Sequence, residues 1–270
     1  MMIPAWGLAF CCFVLFFFGA SVYSFLNVVI FRVPRGEEFV KTRSHCPGCG
    51  KILSPAELVP VVSYVCLGGK CKKCGSRIGI RDVLIEVFGG LSAIASFVMN
   101  FREPTGSMLQ ILTGDFYARF FAGLTAFFFI GFLTVICFIN IDTDQVKSGT
   151  LVALLAVGVI GIFTLPSLDA VSRLAGAACG GIALLIPGAL LQKKDFYGAA
   201  AVAAVGGCML GQQGIIIAAL AALLALVIES LYLLVRGKKP FLRHFKIVPP
   251  ICIGLLTAVL FGIQLADLFL

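Results

Sequence analysis

Two groups of residues in this 270-residue chain have the types and spacing to do chemistry. The first is a pair of Cys-x2-Cys turns, Cys46-Pro-Gly-Cys49 and Cys71-Lys-Lys-Cys74. Two such pairs can close a tetrahedral four-thiolate site, and zinc is the ion that this pattern suits best. Each pair is followed by a glycine, Gly50 and Gly75, as a tight turn around an ion favours. Disulfides and an iron centre are the alternatives for such thiols. The second group is acidic. Asp142 and Asp144 follow at once on a long apolar run, and Asp195 stands in the short polar stretch Leu-Gln-Lys-Lys-Asp. Two carboxylates brought together share protons unequally. The ionised member can activate a water, while the protonated member holds a scissile carbonyl and later protonates the leaving amine. A lone aspartate at a helix end is otherwise an interfacial residue or a cap. Two of them on one membrane face point toward function, because ionisable groups near membrane depth are costly.

The elements that must carry these residues follow from composition. The chain is 60% hydrophobic and 13% charged, with a mean hydropathy of +1.07. That composition belongs to a multi-spanning membrane protein. Thirty glycines suit close helix packing in lipid. No alternation in ten-residue blocks supports a β-barrel. The expected class is therefore all-α and polytopic, with about eight transmembrane helices near 5–31, 83–100, 117–141, 149–166, 170–191, 197–211, 214–235 and 248–269. The boundary at Gly-Gln-Gln-Gly (211–214) is the weakest. The first run has no Lys or Arg before it and continues to about residue 31, too long for a cleaved signal, so it reads as a retained helix.

One loop, 32–82, is long, polar and basic. The organisation expected is a first helix (1–31), a zinc-binding loop (32–82) and a seven-helix membrane domain (83–270) carrying the aspartates. With that loop in the cytoplasm, the N-terminus lies outside. All of the 21 Lys and Arg except Arg102, Arg119 and Arg173 then fall on the cytoplasmic side. The net charge of +8 is thus read as a topology signal facing the lipid bilayer, not as a nucleic-acid surface. In the reducing cytoplasm the four thiols favour a metal over disulfides. A structural zinc also explains how a loop with so little apolar core folds.

The remaining candidates are weaker. Asp144 is a secondary candidate beside Asp142. Glu86, at the start of the second span, and Glu229, inside the seventh, are the other acids placed to serve. Asn27 and Arg32 read as packing and interface residues. His45 adjoins Cys46 but four thiolates already complete a shell. Cys66 belongs to no motif, and Cys11, Cys12, Cys137, Cys179, Cys208 and Cys252 lie within spans as small packing residues.

The stretches Gly-Ala-Ser-Val-Tyr-Ser-Phe-Leu-Asn-Val-Val-Ile-Phe-Arg-Val-Pro (19–34), the cysteine loop with its following helix (46–90) and Ile-Asp-Thr-Asp-Gln-Val-Lys-Ser-Gly (141–149) resemble the bacterial type IV prepilin peptidases. The resemblance covers nearly the whole chain. It implies an aspartic peptidase that cuts the short basic leader from prepilins or pseudopilins at the cytoplasmic face of the inner membrane. It further implies N-methylation of the new N-terminus with S-adenosylmethionine, for which no Rossmann-type glycine fingerprint is present. Asp142 takes the place of the first catalytic aspartate. The second, preceded in the family by Gly-x-Gly, maps on Gln192-Lys193-Lys194-Asp195, where both glycines are replaced. Tyr197 and Gly149 also depart from the family's lysine and proline. A rival register puts Gly198 first and Ala201 in the aspartate's place, leaving the second acid missing. The residues thus leave open an active enzyme, a weakly active or non-catalytic prepilin-binding scaffold, and, more remotely, a proton-coupled transporter.

Overall fold

The computed structural model of the chain describes residues 5–100, 115–164, 169–191, 194–235 and 246–266. For Asp195 and Glu229, as for Lys194, the backbone alone is described, and Gln192 and Lys193 lie outside these residues. Among the described residues the regular elements are helices, apart from two isolated β-bridges. They are α1 (Ala5–Arg32), short 3-10 turns at Val33–Arg35 and Pro55–Leu58, α2 (Val62–Cys66), α3 (Ile80–Asn100), α4 (Asp115–Thr143), α5 (Ser148–Thr164), α6 (Ala170–Leu191), α7 (Lys194–Val235) and α8 (Val248–Ala266).

Four of these helices, α1, α3, α4 and α6, are long and apolar enough to cross a bilayer. Four shorter apolar segments, Ser148–Thr164, Phe196–Gly211, Gln213–Ile228 and Val248–Leu260, account for the other expected spans. The protein is an all-α, polytopic membrane protein. A straight α7 of 42 residues would measure about 63 Å, twice the ~30 Å hydrocarbon core. It is broken at Gly211, where φ is +70° and ψ −173°. Only glycine adopts that backbone without steric cost. The break falls at the edge of Gly-Gln-Gln-Gly and makes two spans of one helical run.

The chain divides into two compact units, Met1–Val98 and Met99–Leu270. In the first, α1 and α3 form an antiparallel pair. Ala20, Tyr23, Leu26 and Ile30 of α1 recur at helical spacing on a buried face, opposite Ile85, Ala93 and Phe97 of α3. Trp6, Phe10 and Phe13, on the remaining surface, are exposed as lipid-facing side chains are. The two backbones touch because glycines meet. A Cβ on Gly19 would overlap the Gly89 carbonyl and the Ala93 methyl, and one on Gly89 would overlap the Tyr23 ring. The lower end is pinned by Asn27 Nδ2 donating to Asp82 Oδ1 at 3.0 Å. The Arg35 and Arg81 guanidiniums also stand over the Phe31 ring, 5.7 and 5.5 Å from its centroid.

In the second unit α6 lies along the first half of α7, glycine to glycine. A Cβ on Gly176 or on Gly207 would strike the other residue's carbonyl. After the break the second half of α7 turns back, so that α8 contacts both halves: Leu255 packs on Gly206 and Gly254 on the Ala218 carbonyl. Helix α5 packs on α7 through Gly158 against Val205 and Gly161 against Met209. Helix α4 packs on α5 and α8. Phe127, Ile130, Leu133 and Ile136 of α4, Leu154 of α5 and Leu255 of α8 are fully buried.

Substitution Gly19→Ala tests the α1–α3 contact. The added methyl has a backbone carbonyl in its way, so the helices must separate, at a cost of about 1–3 kcal/mol. Thermal unfolding of the detergent-solubilised protein should show a lowered midpoint for Gly19→Ala and little change for Phe13→Leu on the exposed face of the same helix.

Candidate functional site

The four cysteines come together. The Sγ atoms of Cys46, Cys49, Cys71 and Cys74 all lie within 4.8 Å of one another. Cys46 Sγ and Cys74 Sγ are 3.8 Å apart, and all the cysteines are free thiols. Four sulfurs at ~2.3 Å from a tetrahedral ion stand about 3.8 Å apart, so the spacing fits a metal ion and not a disulfide. His45 is not part of the cluster; its Nδ1 stands 3.3 Å from the Arg43 carbonyl.

The local backbone explains the convergence. The two cysteine turns are built alike. Gly50 N–H donates to Cys46 O and Gly75 N–H to Cys71 O, both at 2.9 Å. Cys46 N–H donates to Lys51 O and Cys71 N–H to Ser76 O, at 2.9 and 2.8 Å. Gly50 and Gly75 sit at φ +66° and +71°, where a side chain would be strained. An isolated bridge closes each turn, His45 with Ile52 and Lys70 with Arg77. The Ser76 hydroxyl lies 3.4 Å from Cys46 Sγ and 3.2 Å from Cys74 Sγ. That hydroxyl, with the Gly48 amide, draws the Cys46 thiol down to about 6, and it lowers Cys74 as well. The Lys51 amide favours the Cys49 thiolate, but burial and the three neighbouring sulfurs outweigh it and push Cys49 up to about 11. The set is uneven: the two thiols beside Ser76 are lowered and Cys49 is raised.

The loop around this centre is braced by polar side chains. Lys51 Nζ meets Glu57 at 2.8 Å. Glu57 also accepts from the Ser54 amide and hydroxyl, both at 2.9 Å, closing a capping box on the 3-10 turn Pro55–Leu58. The Lys51 ammonium, then the Ser54 donors, hold the Glu57 carboxyl down to about 2. Glu86 has a task of its own in this unit: its Oε2 accepts the Val61 N–H at 2.8 Å. Val61 lies at φ +62°, ψ −50°, and Val62 N–H reaches back to Pro60 O at 2.6 Å. This is the strained form of the γ-turn, rare for a β-branched residue. The Glu86 carboxylate is what holds it.

Asp142 and Asp144 lie at the other unit's α4 terminus. Asp142 is in the last turn, exposed. Asp144 terminates the helix: φ is +55°, and its N–H donates to Asn140 O at 2.9 Å, the left-handed cap that ends many helices. Its carboxylate meets Lys246 Nζ at 2.8 Å. Lys246 also donates to the Ile141 carbonyl at 2.6 Å and to the Asn140 carbonyl at 3.5 Å. A lysine just before α8 thus closes the C-terminal end of α4, where unpaired carbonyls and the helix dipole both favour a cation. In the sequence Lys246 is one of the charges that set topology and carries no further mark. Nothing local in the sequence marks it, because the contact spans 105 residues. Four residues after Asp142, Val146 packs against Gly198 in the first turns of α7; a Cβ on Gly198 would come within 2.8 Å of a Val146 methyl. The junction that carries Asp142 and the helix start that carries Asp195 in its first turn are therefore neighbours, and Phe196 beside Asp195 is buried. The side chains of Asp195 and Glu229 lie outside the described residues.

Lys246→Met should fray α4. The ammonium and the aspartate are partly exposed, so the cost is about 1 kcal/mol or less. Hydrogen exchange should speed up several-fold at 140–144, and stay unchanged at mid-helix amides near 130. Asp144→Asn, which tolerates the same backbone, should keep the helix end.

A profile of the Bacterial Peptidase A24 N-terminal domain matches residues 17–100, the α1–α3 pair and the thiol centre. The chain is 46% identical over 77 residues to the prepilin leader peptidase/N-methyltransferase of Myxococcus xanthus, covering 28% of this chain and 23% of that protein. To the protein of the same description from Pseudomonas aeruginosa it is 34% identical over 120 residues, covering 36% of this chain and 41% of the relative. The match to the Bacillus subtilis protein so described is 25% identical over 260 residues, 95% of this chain and 97% of the relative. The strongest identities thus span less than half of their relatives, and the full-length match is more distant. No solved structure matches the chain. The matched N-terminal domain and the end-to-end alignment make this chain similar to the bacterial prepilin leader peptidase/N-methyltransferases.

Proposed function

We propose that the chain is a membrane aspartic peptidase that removes the short basic leader of type IV prepilin-like substrates at the cytoplasmic face of the inner membrane. Asp142 and Asp195 are its catalytic pair. The observation that supports this most is the seating of Val146 against Gly198, which puts the two acid-bearing junctions side by side. One carboxylate acts as base toward a water and the other as acid toward the leaving amine, the division that two neighbouring carboxylates permit. Asp144 serves the helix end and its lysine, and Glu86 serves the Val61 turn, so neither is placed in the chemistry. An N-methyltransferase activity is proposed from the relatives' description, and the new N-terminus as acceptor and S-adenosylmethionine as donor from the family resemblance. The distribution of Lys and Arg supports the N-terminus outside and the 32–82 loop inside. In this reading 1–31 is an anchoring helix, 32–82 a zinc loop and 83–270 the membrane domain that holds the pair.

The metal proposed for the thiol cluster is zinc, in a structural role. Four thiolates complete its shell and leave no position for substrate. Freshly purified, reduced protein should carry one zinc per chain by elemental analysis. Cys46→Ser or Cys74→Ser should lose it and expose the loop to proteolysis. Metal-free wild-type protein would refute the assignment.

Incubation with a purified prepilin, with and without S-adenosylmethionine, and read by intact mass, tests the activity. Asp142→Asn and Asp195→Asn should each reduce leader cleavage by about 10²–10⁴-fold or more, with zinc content and melting unchanged. The replaced glycines favour one specific alternative, a binding scaffold with an incomplete pair. It predicts that wild type does not cut and that Ala201→Asp switches cleavage on. Wild-type rates from Asp195→Asn would remove that residue from the pair.

A further inference from the structure

The long loop, 32–82, does not stand away from α1 and α3. Two of its segments fold back along the helices that it joins. On one flank the Arg32 guanidinium, buried, donates to the carbonyls of Glu38 and Thr42 at 3.2 and 2.8 Å and bends the chain downward. Phe39 then reaches the Phe25 ring, 6.3 Å between centroids, seven residues inside the end of α1. That is about 10 Å along the helix axis. On the other flank Val61 is held by Glu86, six residues inside the start of α3 and about 9 Å along it. Helix α3 has 21 residues, about 32 Å, little more than the ~30 Å hydrocarbon core. Its second turn therefore cannot lie far out in water if the helix spans. At that depth an amide cannot count on water, which accounts for a carboxylate spent on the Val61 N–H.

What these segments present there is apolar. Leu58 and Val62 are 44% and 41% exposed, Val65 is 70% and Val40 77%. Leu84 of α3 and Phe25 of α1 are exposed as well. Lys70, Lys72, Lys73 and Arg77, on the second cysteine turn and just before and after it, are all exposed. Exposed apolar side chains and a cluster of cations in one loop are the combination that binds the boundary between headgroups and acyl chains of an anionic bilayer.

We propose that the thiol-centred loop is a membrane-surface module. Leu58, Val62 and Val65 on one flank, with Phe39 and Val40 on the other, enter the headgroup–acyl boundary, and the lysines of the second cysteine turn lie on anionic headgroups. The occupant is lipid because both ends of the loop are already fixed to membrane helices and its folded-back segments reach their depth. The proposal is independent of the peptidase assignment and of the orientation of the chain.

The chain has one tryptophan, Trp6, so a single reporter can be moved. Full-length protein carrying Trp6→Phe and Val65→Trp is reconstituted into vesicles of phosphatidylcholine and phosphatidylglycerol, and metal content is checked against wild type. If Val65→Trp lowers that content, Val62→Trp is used instead. The tryptophan emission should be blue-shifted, quenched by lipids brominated near the top of the acyl chain, and several-fold less open to iodide than in the denatured protein. Iodide access should rise when phosphatidylglycerol is omitted. Water-like emission with full iodide access overturns the proposal. So does shielding from iodide without quenching by brominated lipid, which would mean that protein covers the segment. Protection that arises only on adding a prepilin would overturn it too, and make the face a substrate surface.

Discussion

The end of a helix in or near a bilayer leaves carbonyls that lipid cannot solvate, and this constraint governs the molecule wherever its chemistry sits. The protein meets it with long basic side chains. Lys246 closes α4 through Ile141 and Asn140. Arg173, buried at the start of α6, donates to the Cys208 carbonyl at 3.4 Å, near the end of the first half of α7. Arg32 collects the carbonyls of the chain leaving α1. Charges that a topology count treats as equivalent therefore differ. Some are fixed by tertiary contact at the points where a helix stops, and α4 stops one residue past Asp142.

That stop sets the candidate site. An unfinished α4 would let the four-residue connector to α5 wander, and Val146 would lose its seat on Gly198. The cap uses Asp144 in a left-handed conformation where glycine is more usual, and its carboxylate gains a lysine that glycine could not hold. Two acids two residues apart thus divide their work, one ending the helix and the other exposed in its last turn.

The thiol centre answers a different shortage. The loop has few buried apolar residues, Cys46 and Cys71 among them, and no sheet. Two turns with the same internal hydrogen bonds put four sulfurs within reach of one ion, so binding energy can replace a core. Elsewhere in the loop, polar contacts fix the chain one at a time: Glu57 on Ser54, Glu86 on Val61, Arg32 on Thr42.

Periodicity and hydropathy in the sequence were enough for the all-α class, for the position of each apolar helix and for the cysteine group, because each depends on neighbours within a turn or on a repeated local motif. Glycine at 211 likewise marked its own break. The sequence by itself could not assign Glu86, which looked like a spare acid and is the acceptor for a strained turn 25 residues away. Nor could it give Asp144 its task at the helix end, since that task is set by Lys246, a lysine just before α8. Close approach of α1 to α3 and of α6 to α7 depends on which glycines face each other, and composition records only that there are many. Local energetics chose the elements. Partners far apart in the chain decided the work of each polar side chain, because a charge or an amide near lipid takes whatever partner the fold brings to it.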